Sequence, residues 1–398
     1  MIVVLKRVIK RTLFLFGISP KKIIDLYRVF QQVMGYAVAY NVNETKYEKN
    51  CLLQYIVRPF QESGSSAGES HQNQWQVLAI SAELGKLGYN VDVRDFDDRH
   101  SRLKNYYNLV IDIFPGYNDT YKHRMNLGCR RIAYLTGMNH RVANQNEQMR
   151  IDNLAKRRGK TVPPERWQPL ISKEIERFDA FFFIGNTYNI QSYNEFRLPQ
   201  VHFIKNNGYE FPYSIKTQGR DPKKFLFFAS SGQVHKGLDL LLEIFAQKDF
   251  PFELYICSGF LLEKPFCELY QKELFHTSNI HSVGFVDIMG TLFREIVEQC
   301  TFALLPSCSE ANAGSVLSVM SVGLIPIVSR ECGFEDDEVI HLQDCEIETI
   351  EAAIYNYASK DLDWLRNESD RVQRIVKERY SQEAFLQSIR KALCETLC

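Results

Sequence analysis

The 398-residue chain has no run of about 18 consecutive apolar residues, so it contains no segment expected to cross a bilayer as a helix. It also lacks charge of one sign in excess. Its 48 basic side chains face 48 acidic ones, which removes the bulk electrostatic case for nucleic acid as a partner. The ten cysteines form no C-x-x-C pair and no Cys/His cluster at zinc spacing, so the setting reads as reduced and cytoplasmic. A secretory signal would need a longer apolar region and a small-residue cleavage site, and neither is legible. Aromatic residues, by contrast, make up 13% of the chain and support a sizeable core and ring platforms for sugars. At roughly 150 residues per domain, this length implies two or three domains.

The stretch from Phe302 to Ser329 carries the most information. Phe302 to Leu305 is a short apolar run stopped by Pro306-Ser307, which predicts a buried strand. A loop from Cys308 to Ala313 holds one carboxylate, Glu310, and a helical pattern runs from Gly314 to Val322. Gly323 ends it, and Ile325 to Val328 reads as a second strand. Such a parallel crossover unit carries ligands at the carboxyl ends of its strands. The predicted helix opens on Gly314 and Ser315, where unpaired N–H groups and the positive dipole end suit an anion.

This run resembles the donor-sugar signature of family 4 glycosyltransferases, retaining enzymes of the GT-B fold. Pro306-Ser307, Glu310, Met320 and Gly323 match the family pattern, while the second glutamate, which binds the nucleotide ribose, is replaced by Ser318. The resemblance covers most of residues 50 to 398. It implies two Rossmann-like, doubly wound parallel-sheet domains of α/β class facing a cleft, with an extra N-terminal helical segment.

The expected divisions are a basic, helical extension over 1–48, an acceptor domain over 49–208 and a linker over 209–224. A nucleotide-sugar domain follows over 225–370, and a helix over 371–398 crosses back to the first domain. Within the extension, Lys6, Arg7, Lys10 and Arg11 fall on one side of a helix and apolar residues mostly on the other. That pattern fits either a helix packed on the domain or an anchor, through residues 1–18, on an anionic membrane surface. Residues 24 to 48 read as a further helix running into a polar linker. The segment after the strand RRIAYLTG, with Arg157 and Arg158, reads as a solvated helix with a basic end or as a contact for an anionic acceptor.

Glycosyl transfer leaves negative charge growing on the departing diphosphate, so cations and N–H dipoles fixed around it lower the barrier. Lys236 stands between a glycine- and serine-containing loop and a helix and suits that role. At about 4 Å and an effective dielectric near 20, one such pair is worth roughly 4 kcal/mol. The family adds an arginine shortly before this lysine; here Ser230, Ser231 and Gly232 stand instead, leaving their backbone N–H groups to the phosphate. The resemblance makes Lys236, Glu310 and His140 the candidate catalytic residues. Ser231, Gly232, Ala313, Gly314, Ser315 and Ser318 join Lys236 and Glu310 as donor-binding candidates. Gly64, Gly68, His71 and Asn73 are candidates for the acceptor and phosphate loop. Asp95-Phe96-Asp97 could suggest a divalent ion, but it ends a crossover strand, and no metal or cofactor is expected beyond the nucleotide-sugar substrate. The expected partners are a nucleotide sugar and a glycan or lipid-linked acceptor at the inner face of the plasma membrane, in cell-surface polysaccharide synthesis. The alternative is a catalytically silent GT-B-like module that binds a glycan or a partner. Alanine at Lys236 or Glu310 is expected to lower turnover with little loss of stability.

Overall fold

Runs such as Ala180–Ile184 and Cys300–Leu305 are apolar from end to end, and every residue in them is buried. Strands of that kind belong in parallel sheets covered by helices on both faces. The structure, a computed structural model, describes residues 36–61, 72–211 and 215–397. The segment 1–18, most of the helix expected over 24–48, and Gly64, Gly68 and His71 lie outside the described residues.

The first lobe runs β1 (Val38–Ala39), β2 (Lys49–Tyr55), α1 (Gln72–Lys86), β3 (Tyr89–Asp95), β4 (Tyr107–Asp112), β5 (Met125–Leu135), α2 (His140–Arg158), β6 (Ala180–Ile184), α3 (Thr187–Ile190) and β7 (Val201–Ile204). Its sheet has the order β1-β3-β2-β4-β5-β6-β7. All pairs are parallel except β1 with β3.

The second lobe opens with β8 (Asp221–Phe228), α4 (Leu238–Phe245), β9 (Glu253–Cys257), α5 (Lys264–Leu269), α6 (Gln271–His276), β10 (Ile280–Ser282) and α7 (Thr291–Val297). It continues with β11 (Cys300–Leu305), α8 (Gly314–Ser321), β12 (Ile325–Val328), β13 (Ile340–His341), α9 (Ile347–Ala358), α10 (Leu362–Arg379) and α11 (Gln382–Leu397). The order β10-β9-β8-β11-β12-β13 is parallel throughout. The strand order reverses between β2 and β4 in one sheet and between β8 and β11 in the other, which opens a crevice at the carboxyl ends.

Three expectations are corrected. The described end of the 24–48 segment is not helical, because Val38 and Ala39 pair with Arg94 and Val93 at the sheet edge. The C-terminal helix is two helices. The chain breaks at Tyr380, whose carbonyl accepts from Gly208 N at 2.7 Å and whose hydroxyl donates to buried Glu338 at 2.7 Å. Ser381 then caps the next helix, accepting from Ala384 N at 3.2 Å. Finally, α2 is solvated on one face only, and Arg157 and Arg158 at its basic end are paired. Ile151, Leu154 and Val162 are buried with Phe225, Leu238 and Leu242 of the second lobe. Arg157 pairs with Asp239 at 2.6 Å and Arg158 with Glu273 at 2.8 Å, and both reach Glu243.

Phe385, Ile389, Ala392 and Leu393 of α11 sit in the first-lobe core. Arg390 adds a two-pronged bond to Glu83 of α1, at 2.8 and 3.0 Å. Each lobe therefore lends the other a helix.

Candidate functional site

Lys236 follows β8 and Glu310 follows β11, so the two strands flanking the second switch point each present one charge. The loops are tied before the charges meet. Lys236 N donates to Gly232 O at 2.8 Å, and Cys308 N donates to His235 O at 2.9 Å. The Lys236 ammonium pairs with the Glu310 carboxylate, which also accepts from Ser307 Oγ at 2.8 Å. The two side chains are only 6% and 13% exposed. Burial works against the carboxylate, but Lys236, His235 and Arg166 together hold its pKa down at about 2. Glu310 is ionised at neutral pH.

His235 is buried beside this pair. Its Nε2–H donates to Ser309 O at 2.7 Å, which leaves Nδ1 without a hydrogen. Burial, reinforced by the Lys236 charge, lowers its pKa to about 4, so the ring is neutral. Nδ1 has no hydrogen-bond partner and stands 4.0 Å from Glu147 Oε2, itself unpartnered, on α2.

The first lobe supplies the facing wall. His140 opens α2 directly beyond β5, capped by Asn139, whose side chain accepts from Arg141 N at 2.9 Å. Its Nδ1–H donates to Pro169 O at 2.7 Å, and its ring lies 4.5 Å from that of Phe114. Burial lowers its pKa, so the imidazole carries a basic Nε2 at neutral pH. Residues after β4 and β5 (Phe114, Met138 and His140) together with His235, Ser309 and Glu310 line a cleft of about 170 Å³. The lobes touch at its floor, where Met138 N donates to Glu310 O at 3.2 Å. Asn146 and Arg150 of α2 donate to the carbonyls of Cys308 and Pro306 at 2.8 and 2.9 Å.

The donor-binding candidates divide. Ala313 is the N-cap of α8, with Gly314 and half-buried Ser315 in its first turn. Gln72 of α1 packs on Gly314 so closely that a Cβ there would collide with its amide. At the far end, Arg220 donates to the carbonyls of Val322 and Gly323 at 2.6 and 2.7 Å, satisfying the last turn. Ser318 is buried and donates to Gly314 O at 2.8 Å. Its hydroxyl hydrogen is therefore committed inside the helix.

Ser231 is half-buried. Gly232, however, does not offer its N–H to a ligand. That group and Gln233 N both donate to the buried carboxylate of Glu263, at 2.5 and 3.0 Å. An internal anion holds the position that the sequence leaves to a phosphate. Asn73 lies exposed in the first turn of α1. Asp95 accepts from Val57 N at 2.8 Å, tying the ends of β2 and β3.

Sequence reasoning missed Arg166, Glu147 and Glu263. Arg166 follows α2, and its stem lies against Gly232, where φ is +86° and a Cβ would collide with it. The loop thus gains an arginine from elsewhere in the chain. No local pattern marks these residues: Arg166 and Glu147 reach the second lobe only when α2 docks on it, and Glu263 meets its loop from some thirty residues further on.

No family model matches the sequence, and no curated protein matches it as a relative. Solved structures do resemble it. Sucrose-phosphate synthase from Thermosynechococcus elongatus aligns with a TM-score of 0.60 at 13% identity, covering 87% of this chain and 98% of that one. The lipopolysaccharide outer core galactosyltransferase WaaB aligns at 0.55 and 13%, covering 88% and 100%. TarM aligns at 0.50 and 13%, over 70% of this chain and 53% of that one, so this chain spans about half of TarM's length. At these identities the likeness establishes architecture: the chain has the GT-B fold.

Proposed function

We propose that this protein is a glycosyltransferase that moves a sugar from a nucleotide donor to a glycan or lipid-linked acceptor, with retention and without a metal ion, in cell-surface polysaccharide or glycoconjugate synthesis at the cytoplasmic membrane face. The observation that carries the reading is the pairing of Lys236 with Glu310 across a topological switch point, with Glu310 and His140 lining one interlobe cleft. The bound ligands of similar folds support it. An Anabaena protein, Alr3699/HepE, has been crystallised with UDP and glucose; its TM-score is 0.55 at 12% identity.

In this reading the bond between the sugar's anomeric carbon and the leaving phosphate oxygen breaks, and a bond to the acceptor oxygen forms on the same face. The acceptor proton passes to the departing phosphate. Glu310, ionised and held by Lys236 and Ser307, accepts from sugar hydroxyls, with each such charged bond worth roughly 1.5–3 kcal/mol. His140 Nε2 faces the same space and positions either the sugar or the acceptor hydroxyl. A space of about 170 Å³ holds a sugar ring and not a whole nucleotide sugar, for which sites of roughly 300–1,000 Å³ are usual. The cleft thus suits the reacting end of the donor, with the nucleotide extending beyond it.

A second reading, a silent GT-B module that binds a glycan or partner, is favoured by Glu263 on the loop N–H groups and by the commitment of Ser318 to Gly314. The two are separated by incubating the purified protein with a panel of nucleotide sugars and following nucleoside diphosphate release. Release with at least one donor is expected. No turnover on any donor, together with no calorimetric binding of nucleoside diphosphates at millimolar concentration, leaves only the silent module.

A further inference from the structure

The described residues lining the interlobe cavity carry two formal charges at neutral pH, Glu310 and Arg166. Glu310 is neutralised by Lys236, and the neighbouring His235 is neutral. The Arg166 side chain acts on the Glu310 and Glu147 carboxylates only through its charge, without a hydrogen bond to either. The Arg166 guanidinium makes no hydrogen bond or ion pair among the described residues, although its chain is held firmly. Its own N–H and that of Glu165 both donate to Glu147 Oε1 at 3.0 Å. Glu147 is 2% exposed on α2, and nothing else bonds its carboxylate among the described residues. The stem of Arg166 then crosses Gly232, which has no Cβ to block it.

A half-buried cation held at its backbone and free at its tip, on the wall of the cleft, is built to receive an anion. The planar fork of a guanidinium matches two oxygens of a phosphate group, and its charge is hydrated less tightly than an ammonium. Lys236 cannot fill this role alone, because its ammonium already has a buried carboxylate as counter-charge.

We propose that Arg166 is the anion receptor of the cleft, binding the diphosphate of the nucleotide donor, and that Glu147 is its positioning residue. This rests on the glycosyltransferase reading for the identity of the anion. It adds that the first lobe supplies the guanidinium while the second supplies the loop it lies on.

The test is calorimetric titration of the full chain with inorganic pyrophosphate and with UDP at fixed ionic strength. Arg166→Ala should weaken both by roughly tenfold to a hundredfold, the span of one charge-assisted contact. Arg166→Lys, which keeps the charge without the fork, should fall between that variant and wild type. Glu147→Gln retains an oxygen acceptor for the two N–H groups and should bind as wild type does. Glu147→Ala should bind weakly, but should add no further loss when Arg166 is already alanine. A loss from Glu147→Ala that is as large in the Arg166→Ala background would mark general damage and overturn the positioning role. Wild-type binding with an unchanged affinity in Arg166→Ala overturns the receptor assignment and leaves the glycosyltransferase reading intact. Absence of UDP and pyrophosphate binding in the wild type overturns both.

Discussion

At the scale of single residues, the decisive pair is Lys236 with Glu310. Both are buried, and each is the other's counter-charge. Removing the lysine alone strands an ionised carboxylate inside the protein, which costs about 3–5 kcal/mol. Lys236→Ala should therefore lose stability as well as turnover, against the sequence-based expectation of a stable but inactive variant. The double variant Lys236→Met with Glu310→Gln should be more stable than Lys236→Ala, because no charge is left unpaired. Urea unfolding of the three proteins checks this, and equal midpoints for wild type and Lys236→Ala would contradict it. The same pair sets an acid limit. The folded pKa of Glu310, about 2, lies below its ordinary value of 4.5. A carboxyl depressed in this way stabilises the fold fully above the unfolded value and loses that contribution as pH falls toward 2, about 3 kcal/mol in all. The stability gap between wild type and Glu310→Gln should narrow as pH falls from about 5 to about 2.5. A constant gap would refute the assignment.

At the scale of elements, the crossover unit β11–α8–β12 was legible nearly residue by residue. Its apolar runs, the Pro306 stop and the terminating Gly323 are local signals, and the structure has the strands at Cys300–Leu305 and Ile325–Val328. The ends of α8 were less legible. Its N-terminus meets Gln72 from the other lobe, and its C-terminus is satisfied by Arg220. Neither contact is written in the helix's own sequence. The hydroxyl of Ser318 turns inward to Gly314, four residues back along the helix, so Ser318→Ala should leave UDP affinity within about twofold and stability within about 1 kcal/mol. A tenfold loss of UDP affinity in that variant would return Ser318 to the donor site. The loop before Lys236 shows the same limit in another form. Its glycine and serines suggest exposed N–H groups, but Glu263, some thirty residues on, occupies those of Gly232 and Gln233.

At the scale of the molecule, the exchange of helices dominates. α2 belongs to the first lobe by sequence and to the second by packing, while α11 does the reverse. Leu154 is fully buried among second-lobe residues, and truncating such a side chain costs about 2–5 kcal/mol. Leu154→Ala should lower the stability of both lobes together, seen as one cooperative transition at a lower urea midpoint by both fluorescence and circular dichroism. Two separated transitions in the wild type would show that the lobes fold independently of this helix. Among the described residues, no helix is long and apolar enough to cross a membrane.

By itself the sequence determined the alternation of strand and helix, the two parallel sheets and the strand ends on which Lys236, Glu310 and His140 stand. These follow from apolar periodicity and from proline and glycine punctuation, whose range is a few residues. Tertiary structure alone decided which charges are compensated and which are left open. It buried Lys236 against Glu310, turned Glu263 onto the loop, and brought Arg166 across from the other lobe. Those outcomes depend on residues 30 to 74 apart in sequence meeting in a low-dielectric space, where a charge is defined by its neighbours and not by its place in the chain.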